Sequence, residues 1–161
     1  MSERTQWALL AYRIPREPST PRIAVWRRLK RLGVAQLGDG LVALPLDART
    51  REQLEWVADE VRQAGGEATL WLAQAASSAQ ERNLAADLAE ARVAEYRAVI
   101  EEADSVTTPT TRTIQRLRRE LRRINRRDYF PPPARSAAKA AVEALAARTH
   151  QTSADREASR S

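Results

Sequence analysis

The sequence predicts an α+β protein, in which a ferredoxin-like βαββαβ domain over residues 5–75 carries an α-helical extension over residues 77–148. Two observations support this prediction. Apolar runs and amphipathic stretches up to Leu72 follow the order strand, helix, strand, strand, helix, strand, which is typical of a ferredoxin-like antiparallel sheet with both helices on one face. After Leu72 the composition changes, and helical patterns follow with no further strand pattern.

A proline-rich segment separates the first predicted strand from the first predicted helix. The apolar run Trp7–Arg13 predicts a strand buried on both faces, and the three prolines that follow predict a stiff loop. We expect Ser19 or Thr20 to cap the helix, which should end near Leu32 because Gly33 suits a C-terminal stop. Its apolar face, which we expect to be buried, consists of Val25, Trp26, Leu29 and Leu32.

In the second half of this domain, a predicted β-hairpin is followed by a second helix and a fourth strand. Two short apolar runs on either side of Gly38-Asp39-Gly40 predict the hairpin. Thr50 and Gln53 have the spacing of a capping box and predict a helix that ends at Gly65-Gly66, before a fourth strand at Glu67–Leu72. The tryptophans fall at core-facing positions of these elements, and we expect all of them to be buried: Trp7, Trp26, Trp56 and Trp71.

The extension is divided by two segments rich in threonine or proline, which break helices. The predicted elements are a helix from Ser77 or Ser78 to about Ala103, one from Arg112 to about Arg127, an Ala-rich one from about Arg135 to Arg148, and a disordered tail over residues 149–161.

The composition excludes several kinds of chemistry. The 161 residues include no cysteine and a single histidine, His150, which excludes disulfides, thiolate metal sites, thiol nucleophiles and histidine-based catalysis. Glycine-rich phosphate loops are missing, and the acidic residues are scattered along helices instead of paired at strand ends. We therefore expect no enzymatic activity, no metal and no cofactor.

The hydropathy pattern predicts a folded protein of the cytoplasm. Apolar residues make up 43% of the chain, which is enough for a core. No apolar run approaches the roughly 20 residues of a membrane span. The first residues lack the basic start and apolar stretch of a signal peptide, so we expect no membrane partner.

The formal net charge of +6 is unevenly distributed. Residues 13–31 contain seven basic residues and one acid, residues 32–104 contain six basic and fourteen acidic residues, and residues 112–135 contain nine arginines and two acids. Two basic blocks therefore flank an acidic middle, which favours a polyanionic partner. The alternative is that the acidic and basic segments neutralise each other inside one fold.

The predicted helix over residues 112–127 carries the strongest local signal, eight arginines around a narrow apolar seam. The seam consists of Ile114, Leu117, Leu121 and Ile124. Because arginine makes bidentate contacts to phosphates and to guanine edges, we expect the face opposite the seam to bind DNA. The candidate contacts on this helix are Arg112, Arg116, Arg119, Arg123 and Arg126.

Two other interpretations of this helix stay open. Carboxylates of the preceding helix, among them Glu95, Glu101 and Glu102, can pair with some of the arginines in a helical hairpin, although exposed ion pairs contribute little stability. The arginines can also bind an acidic protein partner.

The first predicted helix offers a second basic face and a candidate oxyanion pocket. The further DNA contacts predicted on this face are Arg27, Arg28, Lys30 and Arg31. Backbone amides and guanidinium groups at the start of the helix suit an oxyanion, in a pocket composed of Arg16, Ser19, Thr20 and Arg22. In the alternative interpretation the basic face is only solvated, and Arg22 packs its stem on Trp26.

Several segments resemble the N-terminal domain of ChrB, the chromate-resistance regulator. The similarity is carried by Tyr12–Ser19, Pro21–Gly33, Leu41–Pro45, Thr50–Trp56 and Gly65–Trp71, and more weakly by Ala94–Tyr96 and Arg127–Phe130. It implies a transcriptional regulator that represses a chromate-efflux operon until chromate relieves the repression. It also implies that basic residues contact DNA or oxyanion, and those at matching positions are Arg16, Arg22, Arg27, Arg28, Lys30 and Arg31.

The sequence departs from related families in two respects. ChrB usually continues into a second domain, whereas this chain ends in a polar tail, which leaves open an adaptor that binds an acidic protein or a separate ChrB C-terminal domain. The core also resembles PaaX-type repressors and CRISPR spacer-acquisition nucleases, but Leu10–Arg13 lacks the acid that binds metal in those nucleases. We predict DNA binding that controls a chromate- or oxyanion-resistance operon, by a homodimer. Two features permit self-association, an open sheet edge and an acidic face of the helical extension against a basic helix.

Overall fold

A boundary after Leu88 divides the chain into two units, residues 1–88 and 89–161. The computed structural model describes residues 4–160. The boundary lies inside the third helix, whereas the sequence placed it near residue 76. The first turns of that helix belong to the sheet unit because Leu84 borders the same pocket as Trp7 and Leu88 is buried.

The elements follow one another in the predicted order. Their bounds are β1 (Gln6–Arg13), α1 (Ser19–Leu32), β2 (Ala35–Gly38), β3 (Leu41–Pro45), α2 (Ala48–Gln63), β4 (Glu67–Gln74), α3 (Ser78–Ser105), α4 (Thr111–Arg126) and α5 (Pro133–Ala158).

The four strands form one antiparallel sheet in the order β2-β3-β1-β4. β1 is central, so that Leu9 lies opposite Ala43 of β3 on one side and Trp71 of β4 on the other. β2 and β4 are the two edges, and the short β2 has an irregular register between Gln36 and Gly38. The chain is therefore of the α+β class.

Asp47, and not Thr50, is the N-terminal cap of α2. The amide of Thr50 donates to the Asp47 carboxylate at 2.7 Å, and the amide of Asp47 donates to the Thr50 hydroxyl at 2.9 Å. Thr50 is thus the inner member of the capping box, the position that the sequence analysis gave to Gln53. The prediction of a capping box was right and its register was wrong by three residues.

The cap predicted for α1 is also wrong. Pro18 occupies the N-cap position and makes no side-chain cap bond, so Ser19 and Thr20 are the first two residues of the helix. At the other end, Gly33 has a φ of 73° and its amide donates to the Lys30 carbonyl, which confirms the predicted stop.

The core of the sheet unit contains one of the four tryptophans. Trp7 is 2% exposed, whereas the remaining exposures are 52% for Trp26, 52% for Trp56 and 58% for Trp71. Trp26 follows the buried Val25, and one step along a helix turns a side chain by about 100° toward solvent. The core is filled instead by smaller side chains, among them Leu10, Leu29, Val42, Leu44, Leu54, Val57 and Val61.

The helical unit has its own core, contributed by α3, α4 and α5. The predicted seam of α4 is buried at every position, which confirms the amphipathic pattern: Ile114, Leu117, Leu121 and Ile124. Tyr96 and Val99 of α3 and Val142 and Leu145 of α5 belong to the same cluster.

α5 is longer than predicted. The sequence analysis ended it near Arg148 and expected disorder over residues 149–161, but the helix continues to Ala158 with every residue from His150 to Ala158 exposed. This segment has no glycine or proline to stop a helix, and it contains good helix formers such as Gln151 and Ala154. The last residue, Ser161, lies outside the described residues.

Candidate functional site

A basic pocket lies where the end of β1 meets the start of α1 and the β2–β3 hairpin. It has a volume of 750 Å³ and is lined by Tyr12, Arg13, Ile14, Arg16, Arg22, Trp26, Gln36, Asp39 and Gly40. The side chains come from three separate segments, which the pairing of β1 with β3 brings together. We call this the N-terminal pocket.

Gly40 fixes the hairpin against the end of β1. Its φ is +70°, and its carbonyl accepts a 2.8 Å hydrogen bond from the Tyr12 amide. A Cβ atom at this position would lie 2.3 Å from the Tyr12 carbonyl oxygen. Glycine is therefore required here by both conformation and space.

The charge of the N-terminal pocket is strongly positive. Three guanidinium groups, those of Arg13, Arg16 and Arg22, line it with one carboxylate, that of Asp39. None of the three arginines forms an ion pair with any residue from 4 to 160. Unpaired guanidinium groups converging on one cavity are suited to an oxyanion, because each can donate two parallel hydrogen bonds.

Tyr12 adds a neutral donor to this pocket. Burial raises the pKa of Tyr12 above its ordinary value of 10.0, and the charge of Arg22 opposes that shift in part. The phenol therefore keeps its proton at neutral pH and can donate a hydrogen bond to an anion.

The structure brings together two of the four residues predicted to bind oxyanion. Arg16 and Arg22 line the N-terminal pocket. Ser19 instead borders an adjoining depression of 460 Å³ together with Arg22, Ile23, Trp26 and Arg27, while the exposed Thr20 lines neither. The sequence analysis missed Gln36 and Asp39 because the contact between the β2–β3 hairpin and β1 is not local in sequence. It also missed Arg13, the last residue of β1.

The basic face of α1 contains two engaged and two unpaired cations. The Arg28 guanidinium pairs with Glu60 of α2 and lies 5.9 Å from the centre of the Trp56 ring. The Lys30 ammonium lies 4.4 Å from the Trp26 ring centre, within the range of a cation–π interaction. Arg27 and Arg31 are exposed and form neither an ion pair nor a ring contact with a described residue.

Four of the eight arginines of residues 112–127 form ion pairs, and two of these pairs join them to the preceding helix, as the helical-hairpin interpretation predicted. The pairs are Arg116 with Glu102, Arg118 with Glu143 at 3.1 Å, Arg123 with Glu120 at 3.3 Å and Arg127 with Glu95 at 2.6 Å. The hairpin interpretation is therefore right in part. One further ion pair, between Arg118 and Glu143, joins α4 to α5, which the sequence analysis did not consider.

A second set of α4 arginines points to solvent. Arg112, Arg119 and Arg122 are exposed, and none of them forms an ion pair within residues 4–160. Arg126 is exposed as well. The predicted contacts Arg116 and Arg123 remain partly accessible, since their side chains are 52% and 71% exposed despite their partners.

The described residues offer no metal site and no membrane segment. Between residues 4 and 160, no group of three or more histidine, aspartate or glutamate side chains is arranged to hold a metal ion. None of the described helices has the length and apolar character needed to cross a bilayer.

Comparison with known proteins identifies the family of this chain. A family model described as "Protein ChrB, N-terminal" matches residues 22–114, more than half of the chain. The chain belongs to the ChrB N-terminal family. The matched segment of this ChrB-family chain begins at Arg22 in the N-terminal pocket and ends at Ile114 in the first turn of α4. Most of the exposed arginines of α4 therefore follow the matched segment.

A curated relative supports the same assignment. Protein ChrB of Cupriavidus metallidurans (strain ATCC 43123 / DSM 2839 / NBRC 102507 / CH34) is 31% identical over 136 residues, which cover 81% of this chain. They cover 42% of the relative, so this ChrB-family chain spans less than half of the relative's length. No solved structure matches the chain.

Proposed function

We propose that this chain is a non-catalytic, cytoplasmic, DNA-binding regulator that controls a chromate- or oxyanion-resistance operon. One observation carries the proposal: Arg112, Arg119 and Arg122 of α4 are exposed and have no carboxylate partner among the described residues. Membership of the ChrB N-terminal family supports the regulatory part, through the role that the resemblance implies.

The positions of these arginines suit a nucleic-acid backbone. Arg112 and Arg119 are two turns apart on the same side of α4, about 10 Å along the helix axis, and Arg122 continues the row by about 5 Å. A row of guanidinium groups at this spacing can contact successive phosphates, to which arginine binds in bidentate fashion. The buried seam on the opposite side of α4 keeps the row turned to solvent.

α1 supplies additional contacts in this proposal. Arg27 and Arg31 are four residues apart, so they lie on one side of the helix. Arg28 contributes less, because its charge is compensated by Glu60. Lys30 stays available, since a cation–π contact with Trp26 leaves its charge uncompensated.

The N-terminal pocket is the proposed effector site. A tetrahedral dianion such as chromate presents four oxygens, and the pocket is lined by three guanidinium donors, those of Arg13, Arg16 and Arg22. Asp39 lines the same pocket, and its carboxylate repels a bare anion unless one of the arginines lies between them. Binding there would change the charge beside α1, which carries the second group of proposed DNA contacts.

The sheet unit is proposed to be ferredoxin-like. The βαββαβ order of elements and the antiparallel strand order β2-β3-β1-β4 support this assignment. In the proposed mechanism the chain performs no chemical step and needs no metal or cofactor.

A second candidate is an adaptor that binds an acidic protein partner. It is favoured by Ile23 and Trp26, which are 45% and 52% exposed on α1 next to the unpaired Arg27. An exposed tryptophan with an arginine neighbour is a common anchor of protein interfaces.

An electrophoretic mobility shift titration tests the proposal against the adaptor. The probe is the DNA upstream of the chain's own reading frame, with a shuffled duplex of equal length and base composition as the control. We expect tighter binding to the upstream DNA, and release of the complex when chromate is added. Equal binding to both duplexes, or no binding at low salt, would reject the regulator and leave the adaptor.

A further inference from the structure

β4 is an edge strand without the usual protection against pairing with another strand. The seven residues from Ala68 to Gln74 include no charge and no proline, and the register with β1 is regular throughout. The other edge, β2, is protected by its length of four residues and by its irregular register. Long, regular and uncharged edges are templates for a further strand.

Hydrogen bonds on the far side of β1 show how β1 and β4 are paired. The Tyr12 amide donates to Gly40 at 2.8 Å, and the Gln6 carbonyl accepts from Leu46 at 2.8 Å. Tyr12 and Gln6 therefore direct their backbone groups away from β4. Because these groups alternate along a strand, the even-numbered residues of β1 all do the same.

The backbone groups of β4 that face the open edge follow from this pairing. Tyr12 lies opposite Ala68 and Gln6 lies opposite Gln74, so these are non-hydrogen-bonded pairs. The β4 residues that direct their amide and carbonyl groups outward are Ala68, Leu70, Leu72 and Gln74. A contact confirms the direction independently, because the Arg62 guanidinium donates to the Ala68 carbonyl at 3.0 Å.

The side chains of β4 are also uncovered, on both faces of the sheet. Trp71 is 58% exposed and Leu72 is 50% exposed. Neighbouring residues of a strand point to opposite faces, so the exposed apolar surface continues around the edge. Such a surface on a strand with open hydrogen-bonding groups favours a partner strand.

We infer that two copies of this chain associate through β4, with the two strands antiparallel and Trp71 opposite Trp71 of the second copy. The outward-facing residues 68, 70, 72 and 74 are symmetric about position 71, so a two-fold axis there uses all of them. Leu70 then exchanges hydrogen bonds with Leu72 of the second copy, and Ala68 with Gln74. The Ala68 carbonyl accepts from both Arg62 and the second copy, since a carbonyl oxygen has two lone pairs. The inference goes beyond the proposed function and does not depend on it.

In this register, the side chains that face each other across the two β4 strands are compatible in packing and in charge. The two Trp71 residues form a non-hydrogen-bonded pair with Cα atoms about 4.5 Å apart, at which aromatic rings stack. Glu67 lies opposite Ala75, so no like charges face each other. The Ala75 carbonyl accepts a hydrogen bond from Arg4, which places a cation near each Glu67.

Cysteine cross-linking tests the register directly, because the chain contains no cysteine of its own. A Cα separation of about 4.5 Å is within disulfide range, so Trp71→Cys should form a disulfide-linked dimer under mild oxidation. Trp56→Cys, at a similarly exposed position on α2, is the matched control and should form no disulfide-linked dimer. Equal cross-linking of both variants, or none of Trp71→Cys, would overturn the register.

Charge exchange at the same position tests the interface. We expect the unchanged chain to sediment as a concentration-dependent dimer, and Trp71→Glu and Trp71→Lys each to sediment as monomers because like charges are opposed. An equimolar mixture of the two variants should dimerise again. A monomeric unchanged chain at every soluble concentration, or a dimer in both single variants, would contradict the inference.

Leu72→Pro keeps the inference testable if the Trp71 variants misfold. Its amide faces outward, so proline removes an edge donor while the ladder with β1 stays complete. We expect a folded monomer by circular dichroism and sedimentation. A Leu72→Pro chain that is folded and still dimerises would overturn the inference, whether or not it binds upstream DNA.

Discussion

The Tyr96 hydroxyl of α3 donates a 2.7 Å hydrogen bond to the fully buried carboxylate of Asp128, which follows α4. The side-chain oxygen of Asn125 lies 2.7 Å from the same hydroxyl. Arg135 of α5 lies 3.8 Å from the Asp128 carboxylate. One polar cluster therefore joins all three helices of the unit and fixes the helix that carries the proposed DNA contacts.

Tyr96→Phe should lower the free energy of unfolding by about 1–3 kcal/mol, because it leaves a buried carboxylate without one of its donors. Urea denaturation of the full chain measures the effect. Tyr12→Phe is the control and should change the unfolding free energy by less than about 0.5 kcal/mol, since the Tyr12 hydroxyl makes no hydrogen bond to a described residue. Equal losses in both variants would mean that the Asp128 bond is not the cause.

Stability should fall at alkaline pH. Burial and the hydrogen bond to Asp128 raise the pKa of Tyr96 above its ordinary value of 10.0. Above about pH 10 the unfolded chain loses the phenolic proton while the folded chain keeps it, so the unfolding free energy decreases as pH rises further. The decrease should be smaller in Tyr96→Phe, with a remainder from Tyr12, whose pKa burial also raises. An identical decrease would exclude Tyr96 as its source.

Gly40→Ala should destabilise the sheet unit and deform the N-terminal pocket. The φ of +70° and the 2.3 Å approach of a Cβ to the Tyr12 carbonyl predict a loss of about 1–3 kcal/mol. Gly38→Ala is the matched control in the same hairpin, because nothing lies within 4 Å of a Cβ there. Thermal unfolding compares the two, and an equal effect of both substitutions would argue against the close approach.

Arg16→Ala combined with Arg22→Ala should weaken chromate binding at least tenfold, since each lost charged hydrogen bond costs about 1.5–3 kcal/mol. Isothermal titration calorimetry with chromate measures the change. Arg51→Ala removes an exposed arginine of α2 that pairs with Glu55 at 3.2 Å, and it should leave the affinity unaltered. Unchanged binding in the double variant would show that the N-terminal pocket is not the effector site.

Local sequence patterns predicted most of the secondary structure. The 3-4-3 spacing of Ile114, Leu117, Leu121 and Ile124 located the buried seam of α4, and Gly33 located the end of α1. Both features depend on residues within a few turns of each other, which is why periodicity and capping rules suffice. The cap of α2 was misplaced because Asp47 and Thr50 are both good cap residues, and the spacing does not choose between them.

The remaining errors concern features that depend on distant parts of the chain. The exposure of Trp71 follows from the place of β4 at the edge of the sheet, which strand order sets and local pattern does not. The pairing of Arg118 with Glu143 depends on the packing of α4 against α5. The N-terminal pocket was half predicted, because Arg16 and Arg22 are close in sequence whereas Asp39 reaches it through the hairpin.

The salt dependence of DNA binding tests the central proposal most directly. Fluorescence anisotropy with labelled upstream DNA gives the logarithm of the binding constant against the logarithm of the salt concentration, with a slope of about −0.9 per phosphate neutralised. Arg119→Ala with Arg122→Ala should reduce the steepness of that slope by about 1.8, whereas Arg118→Ala, already paired with Glu143, should leave it unchanged. Equal slopes for the unchanged chain and the double variant would contradict the assignment of α4 as the DNA-binding surface.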